Sequence, residues 1–429
     1  MLYTPPMRTA PLALLSFALP LAACDGPEPT PAKPLDPNAP TWHADVAPIV
    51  SRSCAGCHVE GAIGGFPLIT YDDAQMIAAP IRDSVQSRRM PPWGADNDCN
   101  TYENNRALTE EEIDLIVRWV DGGAQEGDPA DSPGPVAPLT PPTLDRVDVS
   151  LSLAEPYTPL ASTDDYRCFL IEWPYEERVW VTGYEVVPGN AAIVHHVIPF
   201  LIDPDDAEEY RALDAAEPGP GYTCYGGPGG DIETLINTRW LGSWAPGGGA
   251  RTMPEGYGVR VKPGSLVAVQ VHYYSLTTPG PDQTRVNLRI SEEALGWADV
   301  QPWTEVAWVF GLGMNIPAKT DDVTHVFEYT EEDSPFTLHD LALHMHTMGQ
   351  SGEMRVIREN GDEECLVSVP RWDFNWQTAY ALAEPVTVNP GDTVRLTCTW
   401  DNPTNEDAAW GEGTGDEMCL GITLLTSDD

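Results

Sequence analysis

The sequence predicts a multidomain chain, mostly β-structure behind a small helical front unit. Three observations predict it. At 429 residues the chain is too long for one ordinary core, so two or three domains are expected. It carries 37 Gly and 42 Pro while long helical periodicity is rare, which favours strands joined by turns. The one well-signalled helix lies near the front. Thr109 and Glu112 read as a capping box, Ile113, Ile116, Val117 and Val120 as one apolar face, and Gly122-Gly123 as its end. A shorter helix is expected to open within Asp45-Val46-Ala47-Pro48-Ile49-Val50.

The ends and the charge come next. Arg8 precedes an apolar run from Ala10 to Ala23, too short to span a bilayer permanently, so residues 1–23 read as a signal peptide. The run ends Leu21-Ala22-Ala23-Cys24, which resembles a bacterial lipobox and makes Cys24 the expected lipidation site. The alternative is an ordinary signal peptide that happens to end near a cysteine. Residues 24–41 then form a Pro-rich tether, and residues 127–143 a second Pro-rich, acidic linker. These features predict an exported, lipid-anchored protein of the periplasm or outer-membrane surface, touching membrane through the anchor only. With 23 basic and 66 acidic residues the net charge is −43, which excludes nucleic acid as a partner and otherwise serves solubility.

Residues 42–126 hold Cys54-Ala55-Gly56-Cys57-His58, the attachment signature of a haem c. The two thiols take the vinyl groups, and His58 binds iron from below. A thioredoxin-like pair or half a zinc site is the alternative, disfavoured by the adjoining His and the lack of a second Cys-x-x-Cys. A sixth ligand comes from Met90 or Met76. Met90 is preferred because Pro91 and Pro92 hold the chain extended and Trp93 is expected to cover the haem edge. Met76, in a helix-like run, reads as core. With Cys24, Cys54 and Cys57 assigned, six of the nine cysteines remain for disulfides, and spacing alone allows 15 pairings.

Farther on, His195-His196, His272, His344-Met345-His346 and Met418 form a second metal signature. In Leu266-Val267-Ala268-Val269-Gln270-Val271-His272 side chains alternate, so Val267, Val269 and Val271 face the core and Ala268, Gln270 and His272 the other side. Likewise Leu341, Leu343 and Met345 oppose Ala342, His344 and His346. His-x-His on a strand sets two rings side by side, suited to one metal ion. His195 and His196 can share a metal only at a bulge or strand end, and Gly189-Asn190 upstream marks such an irregularity. Trp372, Phe374 and Trp376 read as alternating core residues of a strand, His339 as structural, His43 and His325 as lacking evident partners, and the acidic runs at Asp205 and Glu331 as solvated loops.

Tyr166-Arg167-Cys168, Val194-His195-His196, Gln270-Val271-His272-Tyr273, His344-Met345-His346 and Asp416-Glu417-Met418-Cys419 together resemble the copper type II, ascorbate-dependent monooxygenases, the peptidylglycine- and dopamine-hydroxylating family. The resemblance implies two all-β antiparallel sandwiches of jelly-roll-like topology, over 144–297 and 298–429, behind an all-α cytochrome c domain. It implies two copper ions facing across a wet cleft, one held by His195, His196 and His272, the other by His344, His346 and Met418. It also implies supporting roles for Tyr166 and Gln270, and the disulfides Cys168–Cys224 and Cys398–Cys419. Cys99 and Cys365 are left either to bridge the helical and copper units or to stay free. The family's substrate anchors are missing, since Ala342, Leu420 and Ile422 stand at those positions, so peptide amidation is not expected and an apolar or uncharged small molecule fits better. The reading is a monooxygenase using O2, with the haem taking electrons from a periplasmic or membrane donor. Its rivals are a non-catalytic electron carrier or copper-binding protein, and a binding module of a surface complex.

Overall fold

The structure, a computed structural model, describes residues 36, 38–60, 64–135, 140–160, 164–225, 227–229, 238–245, 248–274, 280–411, 413 and 415–428. The expected signal peptide over 1–23, Cys24 and most of the tether lie outside the described residues. No described helix is long and apolar enough to cross a membrane.

The front of the chain is helical. A wide turn at Trp42–Val46 runs into α1 (Ala47–Ser53), followed by α2 (Tyr71–Met76), α3 (Ala78–Gln86) and α4 (Glu110–Asp121). The Thr109/Glu112 capping box forms as expected. The buried face of α4 is centred on Ile116 and Trp119 rather than on Val117. Trp119 is accommodated because its indole N–H donates to the Gln125 carbonyl at 3.0 Å. With Trp42, Val46, Val50, Leu68 and Val85 these residues make one small core.

Behind it stand two sandwiches. In the first, Val149–Ser152, Arg285–Ser291, Val179–Val187 and Tyr257–Val261 form one antiparallel sheet. Tyr222–Thr223, Asp164–Glu172, Leu266–Tyr274, Val194–Ile202 and Arg239–Trp240 form the other. In the second, Gly296–Trp303, Leu420–Ser427, Phe336–His344 and Ala379–Val388 pack over Thr320–Thr330, Thr393–Asn402, Gly349–Ile357 and Glu363–Val369. Strict alternation along Thr393–Asn402 buries Val394, Leu396, Cys398 and Trp400. Gly296–Trp303 links the sandwiches. It pairs along Leu420–Ser427 and also bridges Val300 to Trp240 and, in parallel, Gly296 to Tyr257. The joint is therefore continuous sheet rather than a loop.

Two expectations change here. Leu266–Tyr274 is buried on both faces as well as paired on both edges: Val267, Val269 and Val271 lie in the sandwich core, and Cys224 and Gly227 pack on Gln270 from the other side. Trp93, expected at a haem edge, packs on the second sandwich. Residues 91–108 leave the helical unit as a strap and pack on the second sandwich, where the Trp93 ring meets Tyr380 at 5.1 Å and Tyr102 at 6.1 Å. Tyr102 is buried and donates to the Leu366 carbonyl. Asp96 N–H donates to Ser368 O, Glu103 N–H to Ala381 O and Ala383 N–H to Thr101 O, all within 2.9 Å. Cys99–Cys365 closes the strap, so of the two fates left open for these cysteines, bridging holds. Cys168–Cys224 and Cys398–Cys419 form as the resemblance implied.

Replacing Cys99 and Cys365 together by alanine is expected to cost roughly 2–4 kcal/mol of stability. It should also expose the strap to limited proteolysis before the sandwiches unfold. An unchanged denaturation midpoint with an uncut strap would contradict this role.

Candidate metal centre between the sandwiches

His195 and His196 enter where Val194–Ile202 begins, and its register against Leu266–Tyr274 slips between Val194 and His196. This is the irregularity that two neighbouring imidazoles need in order to turn the same way. Across the pair lies His272, and the ligand atoms of the three rings all fall within 4.8 Å of one another. His272 Nε2 donates to Asp164 Oδ1 at 2.9 Å, leaving Nδ1 facing His196 Nδ1 at 3.4 Å. Nδ1 of His195 is buried with no hydrogen-bond partner. Tyr166 lies flat on His272, with ring centres 4.0 Å apart and planes 6° from parallel.

His344 ends the strand Phe336–His344, and His346 follows in the next turn. Their rings stand 5.2 Å apart, nearly perpendicular. Here the other nitrogen is engaged: His344 Nδ1 bonds the Gln377 side-chain oxygen and His346 Nδ1 the Asp416 carbonyl. Both rings thus keep the Nε2 lone pair. Met418 is buried beside Cys419, whose disulfide to Cys398 anchors the loop to a core strand. The loop is pinned again by Glu417, fully buried, which accepts from His346 N–H at 2.9 Å, Met348 N–H at 2.6 Å and Trp400 Nε1 at 2.8 Å. Burial pushes the Glu417 carboxyl up to about 7, opposed by those donors.

The two sets adjoin rather than face across an open cleft. His196 and His344 ring centres are 5.9 Å apart. Phe374 stacks on His195 at 4.8 Å and reaches His346 at 6.2 Å. Phe374 is therefore no strand-core residue. It lies in a loop, with Trp372 donating its indole N–H to the His346 carbonyl. Desolvation lowers the pKa of all five imidazoles, His195 and His344 to about 3 and His346 to about 4. All five are neutral at neutral pH, the form that binds a metal. A buried ring nitrogen without a partner, paired lone pairs and a thioether form a donor set suited to a soft or borderline metal such as copper.

A cavity of about 900 Å³ opens from this cluster. His344, His346 and Met418 line it together with Ala342, Leu420 and Ile422, so the positions lacking the family's polar anchors present an apolar wall. Gln270 also borders it, but its amide donates to the Gly227 and Cys224 carbonyls, which ties it to the disulfide loop. Asp164 and Gln377 were not singled out from sequence, Phe374 was read as strand core, and Glu417 was noted only within the Asp416-Glu417-Met418-Cys419 motif, without a role. Only Asp164 left a signal, two residues before Tyr166 on a strand where Tyr166 stands opposite His272. Of the remaining histidines, His339 bonds Thr426 at 2.8 Å, as a structural residue should. Contrary to expectation, His325 bonds the Asn315 carbonyl, whereas His43 Nε2 makes no hydrogen bond among the described residues and only approaches the Glu126 carboxylate, at 3.5 Å. Glu331 is likewise no solvated loop residue. It is buried and accepts from Asp333 and Ser334 N–H.

In the helical unit Cys54 and Cys57 are free thiols, while the other six described cysteines are all paired. Burial pushes the Cys54 thiol up to about 12, opposite to what a thioredoxin-like nucleophile needs. His58 Nδ1 lies 3.3 Å from the Phe66 carbonyl, leaving Nε2 outward. Gly64 lets the chain close over that ring, since a Cβ there would sit 2.6 Å from His58 Nδ1. Phe66, Ile69, Met76 and Met90 are exposed apolar side chains of the same unit. Met76, expected in the core, is 79% exposed, and Met90 is 40% exposed. These residues fit a covalently attached haem, whose faces need apolar cover.

Residues 306–423 match the family model of the copper type II ascorbate-dependent monooxygenase C-terminal domain. The chain is similar to DBH-like monooxygenase protein 1 of Homo sapiens, 25% identical over 301 residues, which is 64% of this chain and 48% of that protein. The Gallus gallus protein of that name is 26% identical over 60% of this chain and 44% of its own length. Dopamine beta-hydroxylase of Canis lupus familiaris is 23% identical over 61% and 43%. The chain thus spans less than half the length of these relatives.

Asp164→Asn should weaken copper binding at the His195–His196–His272 set by about 10–100-fold, measured by competition with a chelator. Unchanged affinity would remove Asp164 as the residue that orients His272. Glu417→Gln leaves the three donors facing an amide and should cost about 2 kcal/mol in thermal unfolding, and an unshifted transition would contradict the pinning.

Proposed function

We propose that this chain is a copper-dependent monooxygenase that hydroxylates a C–H bond of an apolar or uncharged small molecule with O2, with a haem c on the helical unit as electron donor. The observation that carries the reading is the clustering of five desolvated imidazoles beside one cavity, which His196, His344, His346 and the Met418 thioether line. One copper would be held by His195, His196 and His272 and the other by His344, His346 and Met418. When bound, the copper ions supply one-electron chemistry toward O2, and the soft thioether favours the cuprous state.

The chain's own residues do the rest. Asp164 and Gln377 fix which nitrogen of His272 and His344 faces inward. Glu417 holds the backbone of His346 and the loop before Met418. Tyr166 covers one face of His272, and Phe374 closes the space between the sets. Ala342, Leu420 and Ile422 line the cavity and offer no charge to a substrate carboxylate. Cys54, Cys57 and His58 would carry the haem, with Met90 proposed as sixth ligand. Residues 42–126, 144–297 and 298–429 are the proposed functional units. Three disulfides suit an oxidising compartment. Export with a lipid at Cys24 completes the proposal.

The test follows haem absorbance in stopped flow after pre-reduction and exposure to O2. Copper-loaded protein should reoxidise faster than copper-free protein, and Met418→Ile should fall to the copper-free rate. Equal rates with and without copper would overturn the haem as donor to this centre.

A further inference from the structure

Among the described residues no acidic group pairs with Arg106. It leaves the strap half-buried between the helical unit and the second sandwich, its Nε buried and without a hydrogen-bond partner. Its guanidinium lies over the Trp376 ring, 5.9 Å from the centroid. The groups acting most on its charge are Cys57, Tyr380 and Arg251, none a carboxylate. Exposed arginines such as Arg82, Arg211 and Arg395 pair with acids, and those left unpaired on the surface are solvated, whereas the Arg106 Nε is buried. A desolvated guanidinium is costly unless an anion joins it. Arg251 nearby is committed to Asp340 and the Ala379 carbonyl, and Arg371 donates to the Ser87 carbonyl, which leaves Arg106, among the described residues, as a junction cation with no hydrogen-bonded partner.

We infer that Arg106 binds a carboxylate carried by the group attached at Cys54 and Cys57, which for a haem is a propionate, and that it seats that group against Trp376. This rests on the haem reading above and deepens it. Trp376 is followed by Gln377, whose side-chain oxygen holds His344. The loop that holds Trp376 touches both sets, through Gln377 on His344 and Phe374 on His195, so the junction brings the haem to the loop the two sets share. A haem held there would supply one electron, passing from ferrous to ferric, to a bound cupric ion that would become cuprous, with no atom transferred. The strap is the reason this geometry is held. Its two ends are α3 and α4 of the helical unit, and its middle is stapled to the second sandwich by Cys99–Cys365. Arg106 is a positioning residue, acting through charge and stacking.

The experiment uses the full chain, produced with covalent haem attachment, and compares the unmodified protein with Arg106→Gln, Arg106→Lys and Trp376→Leu. Haem content is read from pyridine-haemochrome absorbance, the midpoint potential by spectroelectrochemistry, and reoxidation in stopped flow. Removing a cation beside a propionate disfavours the ferrous state, so Arg106→Gln should lower the potential with haem content unchanged, and Arg106→Lys should restore most of it. Trp376→Leu should slow copper-dependent reoxidation while leaving the potential near its starting value. If Arg106→Gln does not fold, a wild-type-like potential in Arg106→Lys together with slowed reoxidation in Trp376→Leu still supports the inference. A haem-loaded Arg106→Gln protein with unaltered potential would overturn it, as would Trp376→Leu reoxidising at the full rate. Absence of covalent haem in the unmodified protein would instead sink the haem reading itself. Copper-independent reoxidation of the unmodified protein would sink the coupling to copper while the potential shift remains readable.

Discussion

Removing five imidazoles from water disfavours their charged forms so strongly that none is protonated at neutral pH, and everything else at the centre is arranged around that desolvation. Each sandwich supplies a scaffold for its rings: a slipped register for His195 and His196, a central strand for His272, a strand end for His344 and the following turn for His346. The polar neighbours then sort the nitrogens. On the first sandwich Asp164 engages Nε2 of His272 and leaves Nδ1 inward. On the second, Gln377 and the Asp416 carbonyl engage Nδ1 and leave Nε2. The two sets are thus chemically distinct although close in space. A buried lone pair without a partner is tolerable only if something binds it.

The same interior placement explains the supporting framework. Glu417 is a buried carboxylate in a protein rich in exposed ones, and it is kept by three donors that belong to the metal-side turn and to Trp400. The Cys398–Cys419 disulfide fixes the other side of Met418. At the outer edge, the strap over residues 91–108 converts what composition suggested was a tethered front unit into a docked one. The helical unit is thereby held against the second sandwich by packing and a disulfide, not by its linker alone.

Much of the site was legible in sequence because its signals are local. His-x-His at strand spacing, paired histidines after Gly189-Asn190, and Met418 beside a cysteine each declare themselves within a few residues. The Thr109/Glu112 capping box did so for α4. The fold class was legible in the same way, from turn residues and alternation. What was missed depends on long-range contact. Gln377 and Phe374 reach the cluster from a loop that has the alternation of a strand but not its hydrogen bonds. Trp93 carries no mark that it belongs to a core some 270 residues away in sequence, and Met76 shows helical spacing without the partner that would bury it. The double burial of Leu266–Tyr274 could not be told from one-sided burial, because Ala268 and Gln270 fit either.

The central claim is that the two sandwiches hold two copper ions with different donors. X-ray absorption on the fully reduced, copper-saturated protein, with copper counted per chain, addresses it most directly. The account predicts two coppers per chain, imidazole scattering from both, and a sulfur shell corresponding to one thioether for the pair. A single copper bridging the five histidines, or two coppers with no sulfur neighbour, would contradict it.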